Sequence, residues 1–190
     1  MNPPNETASK ILDLAEHFTQ TRGFNAFSYR DLQRELGIKT SSIHYYYPAK
    51  TDLAVALTER YLARYTQALD DIAETTPGGR RRLERLGDIY LGVVRQNRFC
   101  LCGMLASDIV SMPAEVGHLL ERFFALNEGW IAEAIALGVA QGDFKASLVP
   151  ERAAARLLAT LEGGMLIARA RGRVAELAAV LGDALDNLGA

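Results

Sequence analysis

Apolar residues recur along this chain every three or four positions, the spacing of one face of an α-helix, and almost nowhere alternate as a half-buried strand requires. Ile11, Leu14, Ala15 and Phe18 form the first stripe, which Gly23 closes as a C-terminal cap. In "FSYRD", Ser28 opens a short second helix with Asp31 three positions on as a variant capping box; Leu32 and Leu36 point inward and Gly37 stops it. A third helix begins near Lys39 and must end before Pro48, because the residue preceding proline is pushed out of helical geometry.

A long helix over about 49–74 follows, with Leu53, Leu57, Tyr61, Tyr65, Leu69 and Ile72 on one face. "TTPGGRRR" interrupts the pattern before a helix over 81–97, and "CLCGMLASDIVSM" is a shorter one closed by Pro113. The stretch 114–141 is long and strongly apolar, "GDFKASLVP" breaks it, and Pro150 suits the first turn of the next helix. Helices over 151–171 and 174–188 complete an all-α chain of about nine helices.

The 190 residues suit one large or two small domains, and 49% hydrophobic with 23% charged residues is ordinary for a globular protein. Net charge is -2, yet it is unevenly placed. Residues 22–50 hold five basic side chains (Arg22, Arg30, Arg34, Lys39, Lys50) against two acidic ones (Asp31, Glu35), or +3. From residue 110 onward seven basic face ten acidic, or -3, so a basic head sits on an acidic body. The opening "MNPPNETASK" carries no secretory signal, and no apolar run approaches the ~20 residues of a membrane span. Cys100 and Cys102 are too close to staple a fold and fit a reducing cytoplasm.

The stretch "GIKTSSIHYYYPAK" concentrates three tyrosines and a histidine in a chain that is only 8% aromatic. Three short helices, the last two separated by a glycine turn, match a helix-turn-helix, whose second helix enters the major groove of DNA. Lys39, Thr40, Ser41 and Ser42 form that helix's first turn, short donors and acceptors able to reach base edges or phosphates. Ile43 would face the small core, while Tyr45 and Tyr46 would offer hydroxyls to phosphates.

A small-polar helix start, an aliphatic residue, an aromatic cluster, Pro-x-Lys and a long apolar helix occur here in one order. That set resembles the TetR family of transcriptional regulators over roughly residues 7–62. The matching features include Gly23-Phe24, Ser28, Gly37-Ile38 and the run Tyr45, Tyr46, Tyr47, Pro48, Lys50. His44 departs from a usual aromatic, and Tyr46-Tyr47 from a common His-Phe, which leaves base preference open. The resemblance implies that Tyr47 packs in the core, Tyr45 and Tyr46 touch phosphates, and Lys50 faces the DNA backbone. Ser28, Tyr29 and His44 complete the residues expected at DNA; Arg30 and Arg34 are as readily solvated as bound. It further implies a DNA-binding domain over 5–65, with its recognition motif at 28–47, and a ligand-binding and dimerisation domain over 66–190.

In the remaining two thirds, Leu177, Leu181 and Leu185 form a ridge, beside a helix that holds Leu161 and is flattened at Gly163 and Gly164. Small residues let helices approach closely, and a TetR-like chain would use these helices in a four-helix dimer interface. Tyr61, Tyr65, Tyr90, Met104, Phe123, Phe124, Trp130 and Met165 supply a candidate effector pocket, with core packing as the alternative for each. Cys102, Asp108, His118 and Arg169 are polar or soft residues that could orient a ligand. Cys-x-Cys lacks the ligand count of a zinc site, so no metal or cofactor is expected, and buried inert thiols compete with a sensing role.

No nucleotide loop, metal-spaced His-Glu pair or nucleophile beside a base suggests an enzyme. The expectation is a cytoplasmic homodimeric repressor of a near-palindromic operator, its recognition helices about one DNA turn (~34–36 Å) apart, released by a small apolar effector. Alternatives are an electrophile or redox sensor using Cys100 or Cys102, and an adaptor controlled by a protein partner.

Overall fold

A computed structural model of the chain describes residues 6–189; residues 5 and 190, where the two expected domains begin and end, lie outside it. Among the described residues there are nine α-helices and no strand, only an isolated bridge between Phe144 and Gly189. The helices form two compact units that interleave in sequence. The first holds the chain up to Ala63 together with Leu101–Glu121, and the second holds Arg64–Cys100 and everything from Arg122 onward.

In the first unit, α1 (Glu6–Arg22) buries Ile11, Ala15 and Phe18. Gly23 follows at φ +98°, a conformation that a side chain would strain, and it turns the chain so that Phe24 and Phe27 pack edge to face at 5.5 Å. Next comes α2 (Tyr29–Leu36), fixed at its start by the Asp31 carboxylate, which accepts the Ser28 N–H at 2.8 Å and the Ser28 hydroxyl at 2.7 Å. Gly37 ends it with φ +66° and donates its N–H to the Gln33 carbonyl. The third helix, α3 (Thr40–Tyr46), buries Ile43 completely and stops at Tyr47, as the proline after it requires. α1 packs on α2, on α3 and on α6 (Leu101–Ser107), which explains why the later segment belongs to this unit. α4 (Lys50–Thr75) runs on through both units as one helix.

The second unit joins the rest of α4 to α5 (Gly79–Arg95), most of α7 (Ala114–Gln141), α8 (Pro150–Arg171) and α9 (Val174–Leu188). The start of α5 touches the backbone of α7. A Cβ at Gly79 would lie 2.1 Å from the Ala134 carbonyl oxygen, so no other residue fits without parting the helices. α9 packs on both α5 and α8.

Two expectations are corrected here. Leu177, Leu181 and Leu185 are buried within the single chain at 1%, 7% and 3% exposure, and so is Leu161, so this ridge is not an exposed dimer face. Its grooves are made by glycines of the same chain: Leu181 overlies Gly87 of α5, and Leu177 overlies Gly164 of α8. The second correction concerns α7, which is long and apolar enough by length and composition to pass for a membrane span. Val116, Leu120, Phe123, Ile131 and Ile135 are buried along one side of it, which accounts for part of that apolar length.

Candidate DNA-binding surface and effector cluster

The outer edge of α3 is polar and aromatic. Lys39, Ser41, His44 and Tyr45 are exposed, and Thr40, Ser42 and Tyr46 are half-buried. Tyr45 is 79% exposed and meets Tyr46 edge to face at 5.0 Å, leaving most of its surface to solvent. Thr40 donates to the Gln33 side chain, which ties the start of α3 to α2. Tyr47 is buried, and its hydroxyl reaches the Ala8 carbonyl at 3.4 Å. The four consecutive rings therefore divide into those facing outward and one core residue. Ser28 is exposed but engaged by Asp31, which itself pairs with Arg34 at 3.0 Å.

Three of the residues expected at DNA, Tyr29, His44 and Lys50, make contacts within the unit. Tyr29 is buried, and its hydroxyl donates to the carbonyls of Tyr47 (2.9 Å) and Ala49 (2.7 Å), pinning α2 to the turn between α3 and α4. His44 stacks edge-on against it at 4.8 Å and holds the Pro48 carbonyl at 2.9 Å through Nδ1. Lys50 is half-buried, and its ammonium donates to the carbonyls of Phe24 (2.6 Å) and Phe27. It also lies 4.6 and 4.5 Å from the centroids of the same two rings, a cation–π clamp. Burial lowers its pKa, against the pull of Asp108 and Asp31.

The residues expected at an effector pocket separate between the units. Tyr61, Cys102, Met104 and Asp108 belong to the first, where Met104 lies beside Gly23 and Cys102 is fully buried. Tyr65, Tyr90, Phe123, Trp130 and Met165 belong to the second. There the Tyr65 ring packs on Phe123 at 4.9 Å, and its hydroxyl donates to Asn127 Oδ1 at 2.6 Å. Asn127, fully buried, returns its amide to the Phe123 carbonyl at 3.0 Å. Met165 is fully buried, whereas Trp130 stays half-buried.

Sequence reasoning missed Asn127 and Glu162. Both were visible as polar residues beside inward positions: Asn127 lies four after Phe123, and Glu162 sits between Leu161 and Met165. Glu162, Tyr90 and Cys100 lie close enough to influence one another's titration, yet neither Glu162 oxygen nor the Tyr90 hydroxyl finds a partner at full hydrogen-bond geometry. Burial pushes the Glu162 carboxyl up and drives both Tyr65 and Tyr90 hydroxyls far above the ordinary tyrosine range.

A glycine-turned helix pair braced by a third helix, with the last one's polar edge turned outward, has the form of a helix-turn-helix unit. The family model for bacterial regulatory proteins of the tetR family matches residues 11–57, which span all of α2 and α3. A TetR-family regulator from Agrobacterium tumefaciens superimposes with a TM-score of 0.93 at 28% identity, covering 99% of this chain and 100% of that one. A TetR regulator from Legionella pneumophila does so at 0.85 and 29% identity, with the same coverage. The HTH-type transcriptional repressor NemR of Escherichia coli K12 is 27% identical over 117 residues, 61% of this chain. The chain spans little more than half, 57%, of that curated relative. Residues 11–57 thus match the TetR-family model, and the chain as a whole has the fold of TetR-family regulators.

Proposed function

We propose that the protein is a cytoplasmic, homodimeric repressor that binds a near-palindromic operator through α3 and leaves it when a small, largely apolar effector enters the second unit. The observation that carries the DNA-binding half is the 79% exposure of Tyr45 on a helix whose inward residue Ile43 is sealed. Tyr45 and Tyr46 then meet phosphates, and Lys39, Thr40, Ser41 and Ser42 meet base edges or the backbone. Its similarity to a named repressor supports the sign of regulation.

The dimer uses the side of α8 and α9 that faces away from the leucine ridge. Leu166 (58%), Ile167 (51%) and Val180 (39%) are the exposed large apolar residues there. Ile167, Val180, Ala159, Gly163 and Ala179 line a groove of about 560 Å³ suited to the same two helices of a second copy. Effector binding would act on DNA affinity through α4, and the shift is bounded by the effector's differential affinity for the two states. A thiol trigger has less support, because Cys100 and Cys102 are exposed by only 3% and 0% and a reactive thiol needs access.

The test is to select genomic fragments bound by the protein and then titrate effectors against the selected duplex. A near-palindromic site is expected, with release retained in a Cys100→Ser, Cys102→Ser variant. A variant that stays on DNA under every condition that frees the parent would replace the pocket with a thiol switch.

A further inference from the structure

Glu162 is built the wrong way round for a surface residue. Long charged side chains normally lay their apolar stem on the protein and keep the charged end in water. Here both carboxylate oxygens are sealed from solvent, with Cys100 and Tyr90 close by but neither at full hydrogen-bond geometry, while the residue as a whole keeps partial exposure, which must come from its stem and backbone. Native proteins satisfy nearly all such buried groups, and one that is left over asks for a bound species.

What surrounds the carboxylate narrows that species. The groups that act on it are Cys100 and Tyr90, and neither is a cation. The Tyr90 hydroxyl, in a residue only 3% exposed, likewise has no partner at full geometry. Tyr65, by contrast, is satisfied by Asn127, and its ring is stacked on Phe123. The cluster thus holds a carboxylate lacking a counter-charge, amid aromatic rings.

We propose that this cluster is the effector subsite for an organic cation, a protonated amine or quaternary ammonium on a small apolar body. Glu162 is the counter-ion, and Tyr90 and Tyr65 supply ring surfaces. An anionic effector would be repelled by the carboxylate, and a wholly apolar one would leave it as deficient as before. A cation supplies the missing charge, and aromatic faces attract it further in a site shielded from water. The inference rests on the reading of the second unit as the effector-binding unit.

The test is calorimetric titration of the full chain with benzylammonium, benzyltrimethylammonium and the neutral benzyl alcohol, repeated on Glu162→Gln. At least one of the two cations should bind about tenfold or more tightly than the alcohol, and the variant should lose that preference while still melting cooperatively. Tyr90→Phe, which keeps the ring, should retain most of it. Equal binding of all three, a preference that survives Glu162→Gln, or binding by none overturns the cation assignment. DNA release by uncharged compounds, undiminished in Glu162→Gln, would leave the effector reading standing while removing the cation. Failure of any compound to release DNA would remove the effector reading itself.

Discussion

The Lys50 ammonium sits over the rings of Phe24 and Phe27 and donates to both of their carbonyls. Those carbonyls belong to the link between α1 and α2, so Lys50 fastens the start of α4 to the bracing half of the DNA-binding motif. Lys50→Met keeps the stem but leaves the acceptors without their charged donor, and should lower stability by about 1–3 kcal/mol in thermal or urea unfolding. Tyr45→Ala should leave unfolding unchanged, since its ring is mostly in solvent. A Lys50 variant that melts like the parent but binds DNA weakly would favour the phosphate contact expected from the sequence. The intramolecular clamp was not legible in the sequence, for a simple reason. Helical spacing places a Cα, but a four-carbon stem can turn toward solvent or toward a neighbouring loop, and here the aromatic link attracts it. Ile43 and Tyr47 were legible as core because short or stiff side chains go where the helix face points.

Helix α9 meets α5 and α8 through the ridge of Leu177, Leu181 and Leu185, with Gly87 of α5 and Gly164 of α8 making room for two of those leucines. Periodicity found every one of the nine helices, because burial of one face repeats every turn. It did not identify the ridge's partner, since an apolar face looks the same whether its own chain or a second copy covers it. Glu162 on α8 provides a pH test. Its pKa is raised above the ordinary 4.5 by burial, so the folded state holds the proton more tightly than the unfolded state. Stability from this group is therefore full below about that value and falls as pH rises through the folded pKa. Glu162→Gln should accordingly melt above the parent at pH 7, by the equivalent of about 1–3 kcal/mol, and converge with it near pH 4. A difference that is constant across that range would mean the carboxyl carries no such penalty.

At the scale of the whole molecule, the outward faces of α8 and α9 and the inward ridge should respond oppositely to charge. Ile167→Glu places a carboxylate on an exposed position of the groove and should convert a dimer to a folded monomer in light scattering. Leu181→Glu puts the same charge into the core and should lower stability by several kcal/mol in unfolding experiments. A parent protein that is monomeric at micromolar concentration would remove the dimer, and with it the palindrome. The order of helices and the position of α3 were legible because turn glycines, Pro48 and the aromatic run are local signals. The interleaving of the units was not, because the return of 101–121 to α1 rests on contacts between residues some ninety positions apart.

The most direct measurement is fluorescence anisotropy of a labelled duplex, recovered by selection, titrated with the parent and with Tyr45→Phe, Thr40→Ala and Ser41→Ala. The parent should bind with an affinity that falls linearly in log–log form as salt rises, because phosphate contacts release counterions. Tyr45→Phe should weaken binding to every duplex alike, whereas Thr40→Ala or Ser41→Ala should change which duplex is preferred. Binding that is indifferent to all three substitutions would contradict the assignment of α3 as the helix that reads DNA.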